Sequence, residues 1–272
     1  MSESNPLVSF IIPYFNAGRT IQETVDSIFY QSYKNFDIWI VNDGSTEPLS
    51  IEKLKNFEGN EKIQILHQEN AGPSTARNLA IQQSKAEFIV PLDADDLIDS
   101  NSIAESLNVF KNREIGIVYG NIQYFGEEKT VKKQADFKME RQLIMNQIAV
   151  TALIRKEVFI DIGYYDQFLS KPGLEDWEFW IRVGQSSWKF KKLEMIFFKV
   201  RIQNSSRTYQ VANNNLNIIK DYVYKKHVNL VMENYENLYY QKKQLIETPD
   251  YKIGNFVMAP YRYFKKKIFK NG

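Results

Sequence analysis

The sequence contains no cysteine and only two histidines among its 272 residues. The absence of cysteine excludes disulfides, thiolate metal sites and a cysteine nucleophile, and it fits a reducing compartment. No apolar run approaches the roughly 18 residues that a membrane-spanning helix needs, and the residues before Val8 lack the basic stretch of a signal peptide. The sequence therefore predicts a cytoplasmic protein whose membrane contact, if any, is peripheral and on the inner face of the cell membrane.

An excess of charge of one sign is also lacking. Lys and Arg total 35 and Asp and Glu total 33, which gives a net charge of +2, so bulk charge does not indicate a nucleic-acid partner and none is predicted. The hydrophobic share of 43% and the charged share of 25% are ordinary globular values. These values exclude a wholly disordered or fibrous chain.

Short apolar runs alternate with amphipathic helical patterns over the first hundred residues. Strands are predicted at Val8–Ile12, Phe36–Val41, Ile63–His67 and Phe88–Leu92. Helices are predicted at Ser50–Phe57 and Pro73–Ser84, and one more after the capping-box spacing of Thr20 and Glu23. We expect Pro13 to stop the first strand. Strands that are apolar throughout, alternating with helices, predict a Rossmann-like α/β fold with a mainly parallel sheet.

Beyond residue 100 the pattern is mixed. Helices are predicted at Ser102–Asn112 and Leu174–Val183, and strands within Ile115–Phe125 and over Lys189–Ile202. Polarity rises from Thr208, and long helical patterns follow. We therefore expect one α/β domain over residues 1–206 and a helical C-terminal extension over 207–272.

Acidic residues follow the predicted fourth strand directly, at Asp93, Asp95 and Asp96. Neighbouring carboxylates repel one another unless something neutralises them. A Mg²⁺ or Mn²⁺ ion bridged to phosphate oxygens would do so. The alternative is a solvated turn that caps the helix at Ser102.

Two other strand ends carry candidate binding residues, and ligands bind such sheets beyond the carboxyl ends of the strands. Asp43, in a turn with Gly44, can accept the ring N–H of a pyrimidine base, or it can simply cap a helix. The segment Pro13-Tyr14-Phe15-Asn16 ends the first strand, where an aromatic ring can stack on a base or the segment can be only a loop.

Basic and acidic side chains at two predicted helix starts complete the candidates. Arg77 lies one turn into the helix that begins at Pro73, where its guanidinium can reach a diphosphate. Its alternative is an ordinary surface arginine. Glu175, Asp176 and Trp177 open the aromatic helix. Asp176 is a candidate general base, or both acids only complement the helix dipole.

Five segments resemble, in their order and spacing, the family 2 glycosyltransferases with the GT-A fold. They are residues 8–16, 41–46, 69–78, 92–96 and 173–180, and the resemblance covers roughly residues 7–206. It implies a nucleotide-binding half over about 1–100 and an acceptor half over about 101–206.

The resemblance also implies roles for the candidates. The residues that would bind the nucleotide-sugar donor, usually a UDP-sugar, are Pro13, Tyr14, Asp43, Arg77, Asp93 and Asp95. Asp95 would ligate Mn²⁺ or Mg²⁺, Asp176 would be the catalytic base, and Glu175 would support acceptor or donor binding. The family transfers the sugar with inversion to a glycan or lipid-linked acceptor.

One segment departs from the family pattern. Many relatives carry Arg-x-His late in the domain, whereas this chain has Arg201-Ile202-Gln203. An amide is a poorer metal ligand than imidazole, so the departure bears on the affinity for the metal. Arg201 and Ser205 remain candidate phosphate contacts, and Trp177 a candidate acceptor contact.

The tail 257–270 is basic and aromatic, and a segment of this kind can lie on an anionic membrane surface. Together these features predict an inverting, metal-dependent glycosyltransferase, a hexosyltransferase in type, that acts in surface-polysaccharide biosynthesis (O-antigen, capsule or lipopolysaccharide). The alternative is a non-catalytic sugar-nucleotide-binding or scaffold protein at the membrane. Gln203 is the feature of the sequence that favours this alternative.

Overall fold

A computed structural model of the chain describes residues 5–202 and 213–247. The chain divides into two compact units between Lys220 and Asp221. Gln203, Ser205, the predicted boundary near residue 206 and the tail 257–270 lie outside the described residues.

A nine-stranded sheet forms the framework of the first unit. Its strands are β1 (Val8–Tyr14), β2 (Phe36–Asp43), β3 (Ile63–Gln68), β4 (Phe88–Pro91), β5 (Leu97–Ile98), β6 (Ile115–Gly126), β7 (Val131–Lys132), β8 (Leu153–Arg155) and β9 (Lys189–Ile202). Their order is β3-β2-β1-β4-β8-β6-β9-β5, with β7 paired to β6. The first four strands are parallel, as predicted, and β8 joins them antiparallel.

The helices of the chain lie between and after these strands. They are α1 (Ile21–Phe29), α2 (Pro48–Lys55), α3 (Pro73–Gln83), α4 (Ser102–Val109), α5 (Met139–Gln142), α6 (Lys156–Ile162), α7 (Glu175–Gly184), α8 (Asn213–Lys226) and α9 (Val228–Glu247), with a 3₁₀ helix at Gln167–Ser170. Helices follow the sheet along the chain, as predicted. No helix in the described part of the chain is both long and apolar enough to cross a membrane.

Both faces of β1 are covered, which explains why this strand is almost wholly buried. Phe10 and Ile12 of β1 belong to one buried cluster, together with residues of α1. Ile11 belongs to a second cluster on the other face, together with Ala76 and Ala80 of α3. Alternate side chains of one strand thus enter two separate cores.

The expectation that Pro13 stops the first strand is wrong, because β1 continues to Tyr14 and pairs Pro13 with Val41 of β2. Backbone groups of β1 face its two neighbours alternately, and the carbonyl of Ile11 accepts from Leu92 on the β4 side. The nitrogen of Pro13 therefore faces the β4 side, where β4 has already ended opposite Ile11. A missing N–H costs no ladder bond at that position.

The predicted capping box at the start of α1 does not form. Thr20 precedes the helix, but its side chain makes no capping hydrogen bond. Its hydroxyl instead donates to the carbonyl of Ala94, 2.8 Å away and 74 residues along the chain. This bond ties the start of α1 to the acidic loop after β4.

The strand order has a topological switch point between β1 and β4. Strands β2 and β3 lie on one side of β1, and β4 lies on the other. The loops that leave β1 and β4 therefore diverge, which opens a crevice at their carboxyl ends. The candidate residues after β1, β2 and β4 are placed at this edge.

Candidate active site

Asp43, the last residue of β2, shapes the loop that leads into α3. Its carboxylate accepts hydrogen bonds from the side chain of Gln68 at 2.7 Å and from the backbone N–H groups of Ala71 and Gly72 at 2.8 and 2.9 Å. The residue is 3% exposed. Three protein donors thus occupy the group that was predicted to accept from a base, and they leave it one further acceptor position.

The ring of Tyr14, a predicted nucleotide contact, is buried in the structure. The residue is 0% exposed, and its hydroxyl donates to the carbonyl of Ser50 at 2.7 Å. β1 is buried on both faces, so Tyr14 still lies inside the core and Phe15 is the first residue outside it. Phe15 is 47% exposed. It is the exposed ring of the segment in which an aromatic contact with a base was predicted, although the residues assigned to the nucleotide were Pro13 and Tyr14.

Asn16 joins the loop after β1 to the loop after β2. Its side-chain carbonyl accepts from the N–H groups of Thr46 and Glu47 at 2.9 and 3.0 Å, and its own N–H donates to Ser45. The residue has a φ of 50°, a left-handed conformation that asparagine tolerates better than most residues. Phe15 is therefore presented by a loop that is fixed on both sides.

Arg77 of α3 is buried and binds two carboxylates. Its guanidinium donates to Asp93 at 2.5 Å and to Glu175. Burial lowers the pKa of Arg77, but the two carboxylates outweigh burial and hold the pKa above its usual value. The structure thus brings three candidate residues from three distant segments together. It also uses the guanidinium internally, rather than leaving it open towards a diphosphate.

The loop after β4 carries three carboxylates in unlike surroundings. The side chain of Asp93 is 40% exposed, whereas Asp96 is 6% exposed and accepts from the N–H of Arg201 at 3.0 Å. Burial, with Asp93 as a second cause, raises the pKa of Asp95 to about 6. Burial also raises the pKa of Asp96 well above its usual value. The cluster is short of positive charge.

Arg201 supplies part of that charge. Its guanidinium donates to the backbone carbonyl of Asp95 at 3.1 Å and pairs with Glu23 of α1 at 2.8 Å. It also lies over the ring of Phe125, 4.5 Å from the centroid. The candidate phosphate contact is therefore at the acidic loop, where three neighbours hold it.

The acidic loop fits a divalent cation that shares its ligands with a phosphate. Carboxylates that repel one another and have raised pKa values gain from a bound cation, and hard cations such as Mg²⁺ combine one or two carboxylates with substrate phosphates. Within residues 5–202 and 213–247, no three His, Asp or Glu side chains are grouped to hold a metal ion. Asp93 and Asp95 could hold such an ion together with the phosphates of a substrate.

Asp176 lies in the first turn of α7 and is partly exposed. Burial, then the charge of neighbouring Glu175, raises the pKa of Asp176 to about 7, while Asn146 and Arg77 act in the opposite direction. The residue before the helix, Leu174, has a left-handed backbone with φ 61°. Strain of this kind costs of order 1–3 kcal/mol and often accompanies functional sites.

Trp177 does not line an open surface, contrary to the prediction that it contacts the acceptor. It is 1% exposed, and its indole N–H donates to the backbone carbonyl of Gln142. Its ring therefore packs behind the helix start and cannot meet an acceptor in this structure. The side chain that does reach Asp176 is Asn146, which donates to the carboxylate at 2.7 Å. No spacing or motif in the sequence marks Asn146.

A family model described as glycosyl transferase family 2 matches residues 9–169, more than half of the chain. The protein therefore belongs to glycosyltransferase family 2. An uncharacterized glycosyltransferase of Rickettsia typhi is 29% identical over 234 residues, which cover 80% of this chain and 70% of the relative. Another, from Rickettsia bellii, is 26% identical over 235 residues, 80% of this chain but 33% of the relative. The chain thus spans only a third of that protein.

A third relative, the glycosyltransferase GlyG of Streptococcus pneumoniae, is 31% identical over 122 residues, 44% of this chain and 40% of the relative. Solved structures of TarS from S. aureus have the same fold. TarS 1–349 in complex with UDP-GlcNAc aligns with a TM-score of 0.62 and 16% identity over 75% of this chain and 60% of that chain. The complex with UDP gives a TM-score of 0.59 and 17% identity, over 72% and 60%. The predicted GT-A architecture is confirmed.

Proposed function

We propose that the protein is an inverting glycosyltransferase, which moves a sugar from a nucleotide-sugar donor to a hydroxyl group of a glycan or lipid-linked acceptor. A UDP-sugar is the first candidate donor, since the structurally similar TarS chains are described in complex with UDP and UDP-GlcNAc. The observation that carries the proposal is the placement of Asp176, which adjoins Glu175 and so connects through Arg77 to Asp93.

In the proposed reaction the acceptor oxygen attacks the anomeric carbon while the bond from that carbon to the diphosphate oxygen breaks. Asp176 accepts the proton of the attacking hydroxyl, and the electron pair of the broken bond leaves with the diphosphate. Attack from the opposite face inverts the anomeric centre. A base with a pKa of about 7 is well matched to this proton transfer at neutral pH.

Two groups would complete the donor side. Asp95, with Asp93 beside it, would hold Mn²⁺ or Mg²⁺, and the bound ion would offset negative charge on the leaving diphosphate. Arg77 would act on the donor indirectly, because its guanidinium fixes Asp93 and Glu175.

The biological role that we propose is surface-polysaccharide synthesis, with the tail 257–270 as a contact to anionic membrane. This part of the proposal is supported by the basic and aromatic sequence of the tail alone.

The test begins with a thermal-shift panel of UDP-, GDP- and dTDP-sugars with and without Mn²⁺, since a ligand of the folded state raises the melting temperature. The donor with the largest shift is then incubated with the protein, and release of the free nucleoside diphosphate is measured with water or an added glycan as acceptor. We expect a UDP-sugar to give the largest shift, and release to require Asp176.

Asp176→Asn is the matched variant, because it keeps the shape of the side chain and removes the base. A stabilising donor that is never cleaved, or that is cleaved equally by Asp176→Asn, would favour the non-catalytic binder. Absence of any shift with every nucleotide sugar would overturn both functions.

A further inference from the structure

The base is held by a loop that contributes nothing to the recognised segments. Asn146 lies in the loop after α5, and its side-chain N–H donates to Asp176 Oδ2 at 2.7 Å. Behind it, the side-chain N–H of Gln142 donates to Asn146 Oδ1 at 3.1 Å and to the backbone carbonyl of Trp177 at 3.2 Å. Gln142 is 0% exposed.

The orientations of the Gln142 and Asn146 amides follow from the groups at the two ends of this hydrogen-bond series, the backbone N–H of Gln147 and the carboxylate of Asp176. Gln142 Oε1 accepts from the backbone N–H of Gln147 at 3.0 Å, so the Gln142 nitrogen must face Asn146. Asn146 then accepts with its oxygen and has its nitrogen left for Asp176, whose ionised carboxylate can only accept. Reversing either amide would set two acceptors against each other. The amide chain therefore suits an ionised Asp176.

We propose that Asn146 is a positioning residue for the base: its amide orients the carboxylate of Asp176 and keeps it ionised, while Gln142 holds the amide in place. This inference rests on the proposed function, in which Asp176 is the base. The groups that face Asp176 from the elements around it are Glu175 of α7, Arg77 of α3 and Tyr165. Arg77 already binds Glu175 and Asp93, whereas Asn146 donates its hydrogen bond to Asp176 itself.

Two variants separate positioning from packing. Asn146→Ala removes the donor and leaves a gap. Asn146→Asp keeps the shape but sets a second carboxylate against Asp176. A packing role predicts that the aspartate variant is the milder one. A positioning role predicts the reverse order, because the new charge opposes ionisation of the base. Asn112→Ala, in the exposed loop between α4 and β6, controls for loss of a loop amide.

The first readout is the pH profile of UDP release from UDP-GlcNAc with Mn²⁺ between pH 5.5 and 9. A hydrogen bond to a charged group corresponds to about one pH unit or somewhat more. We expect the acidic limb of kcat to move up by about one unit in Asn146→Ala and further in Asn146→Asp. Activity at pH 6.5 should fall about tenfold or more, with partial recovery at pH 9. The KM for the donor should change less than twofold, and Asn112→Ala should follow the wild type.

The second readout does not depend on activity. The carboxyl ¹³C resonance of Asp176, assigned by its loss in Asp176→Asn, is titrated in each protein, and its midpoint should rise in the same order. Unchanged midpoints, or a kcat lowered by one constant factor at every pH, would overturn the proposal. If the wild type released no nucleotide from any donor, the proposed function would fall, and the titration would still decide the role of Asn146.

Discussion

The guanidinium of Arg77 binds the carboxylate of Glu175, although the two residues are 98 positions apart. Arg77 lies in α3, between β3 and β4, and Glu175 adjoins Asp176 at the start of α7. Because the same guanidinium also binds Asp93, a single buried cation connects the acidic loop to the start of α7. This connection makes Arg77 the first residue to test.

Replacing Arg77 by methionine should lower both stability and activity. Glu175 would be left buried beside Asp176 without its cation, and removing one partner of a buried ion pair typically costs about 3 kcal/mol or more. Urea unfolding measures the loss. Arg113→Met, at an exposed arginine between α4 and β6, is the matched control and should change stability by less than about 0.5 kcal/mol. Equal effects of the two substitutions would contradict a structural role of the buried pair.

Asp176→Asn should stabilise the protein in neutral and weakly alkaline solution. The pKa of Asp176 is about 7 in the folded chain, above the unfolded value of about 4. Between these values the folded state retains a proton that the unfolded state has lost, so the stability of the wild type falls as the pH rises from about 4 to about 7. The variant has no such proton to lose.

We therefore expect Asp176→Asn to match the wild type near pH 4 and to exceed it by several kcal/mol, up to about 4 kcal/mol, at pH 8, in urea unfolding at both pH values. Glu58→Gln, at an exposed carboxylate, should show no such divergence. A stability difference that stays constant with pH would mean that Asp176 is not destabilised by ionisation.

Asp95→Asn should weaken metal binding. The raised pKa of Asp95, about 6, predicts that a cation displaces a proton, so wild-type affinity for Mn²⁺ in the presence of UDP should decline below pH 6. Isothermal titration of Mn²⁺ into the protein with UDP measures this affinity. The variant should bind at least tenfold more weakly at pH 7.5, while Asp99→Asn, on the far side of β5, should bind as the wild type does. Affinity that is independent of pH and of Asp95 would place the ion elsewhere.

Phe15→Ala should lower the affinity for UDP and spare stability, whereas Tyr14→Phe should lower stability and spare the affinity for UDP. Base–aromatic stacking contributes about 1–3 kcal/mol, so Phe15→Ala should weaken UDP binding by about fivefold or more, with little loss of stability. Tyr14→Phe removes only the hydrogen bond to Ser50 and should cost about 1 kcal/mol of stability without changing UDP affinity. Calorimetry with UDP and urea unfolding on both variants give the comparison. The reverse assignment would mean that the buried ring is the nucleotide contact after all.

Gly72→Ala should lower the free energy of unfolding more than Gly59→Ala does. Both glycines have a positive φ, 88° and 79°, so the backbone strain of the substitution is similar. A Cβ on Gly72 would lie 2.5 Å from the Ser170 hydroxyl, whereas nothing lies within 4 Å of one on Gly59. The difference between the two variants in urea unfolding isolates this contact, and we expect about 1 kcal/mol or more. Equal losses would show that the 3₁₀ helix moves aside freely.

The parallel half of the sheet could be predicted from the sequence because each of its strands contains a short apolar run and is followed by turn residues. The errors arose where a long-range contact overrides a local pattern. Thr20 has the spacing of a cap, yet its hydroxyl bonds to Ala94 across the sheet edge. Pro13 is a strand breaker by composition, yet it occupies a position whose N–H has no partner strand.

For the candidate site, the sequence predicted which residues lie at the sheet edge but not which side chains contact them. The acids and Arg77 follow strand ends or open helices, and the topology brings Arg77, Asp93 and Glu175 together. The partners of these groups were not predictable. Asn146 meets Asp176 from a loop 30 residues away, and nothing in local spacing encodes such a contact. Tyr14 and Phe15 differ in exposure because the strand continues two residues beyond the predicted end at Ile12, to Tyr14.

The unequal lengths of β1 and β4 have a consequence for how the protein tolerates change. β4 ends opposite Ile11, while β1 continues to Tyr14, so the acidic residues that follow β4 have been released from the ladder. Substitution of Asp95 should therefore alter chemistry with little loss of folding, whereas replacing Asp93 would leave the buried guanidinium of Arg77 without one of its two carboxylates. Sequence changes in the loop after β4 can thus alter the chemistry of the site while the paired residues of β1 and β4 maintain the fold.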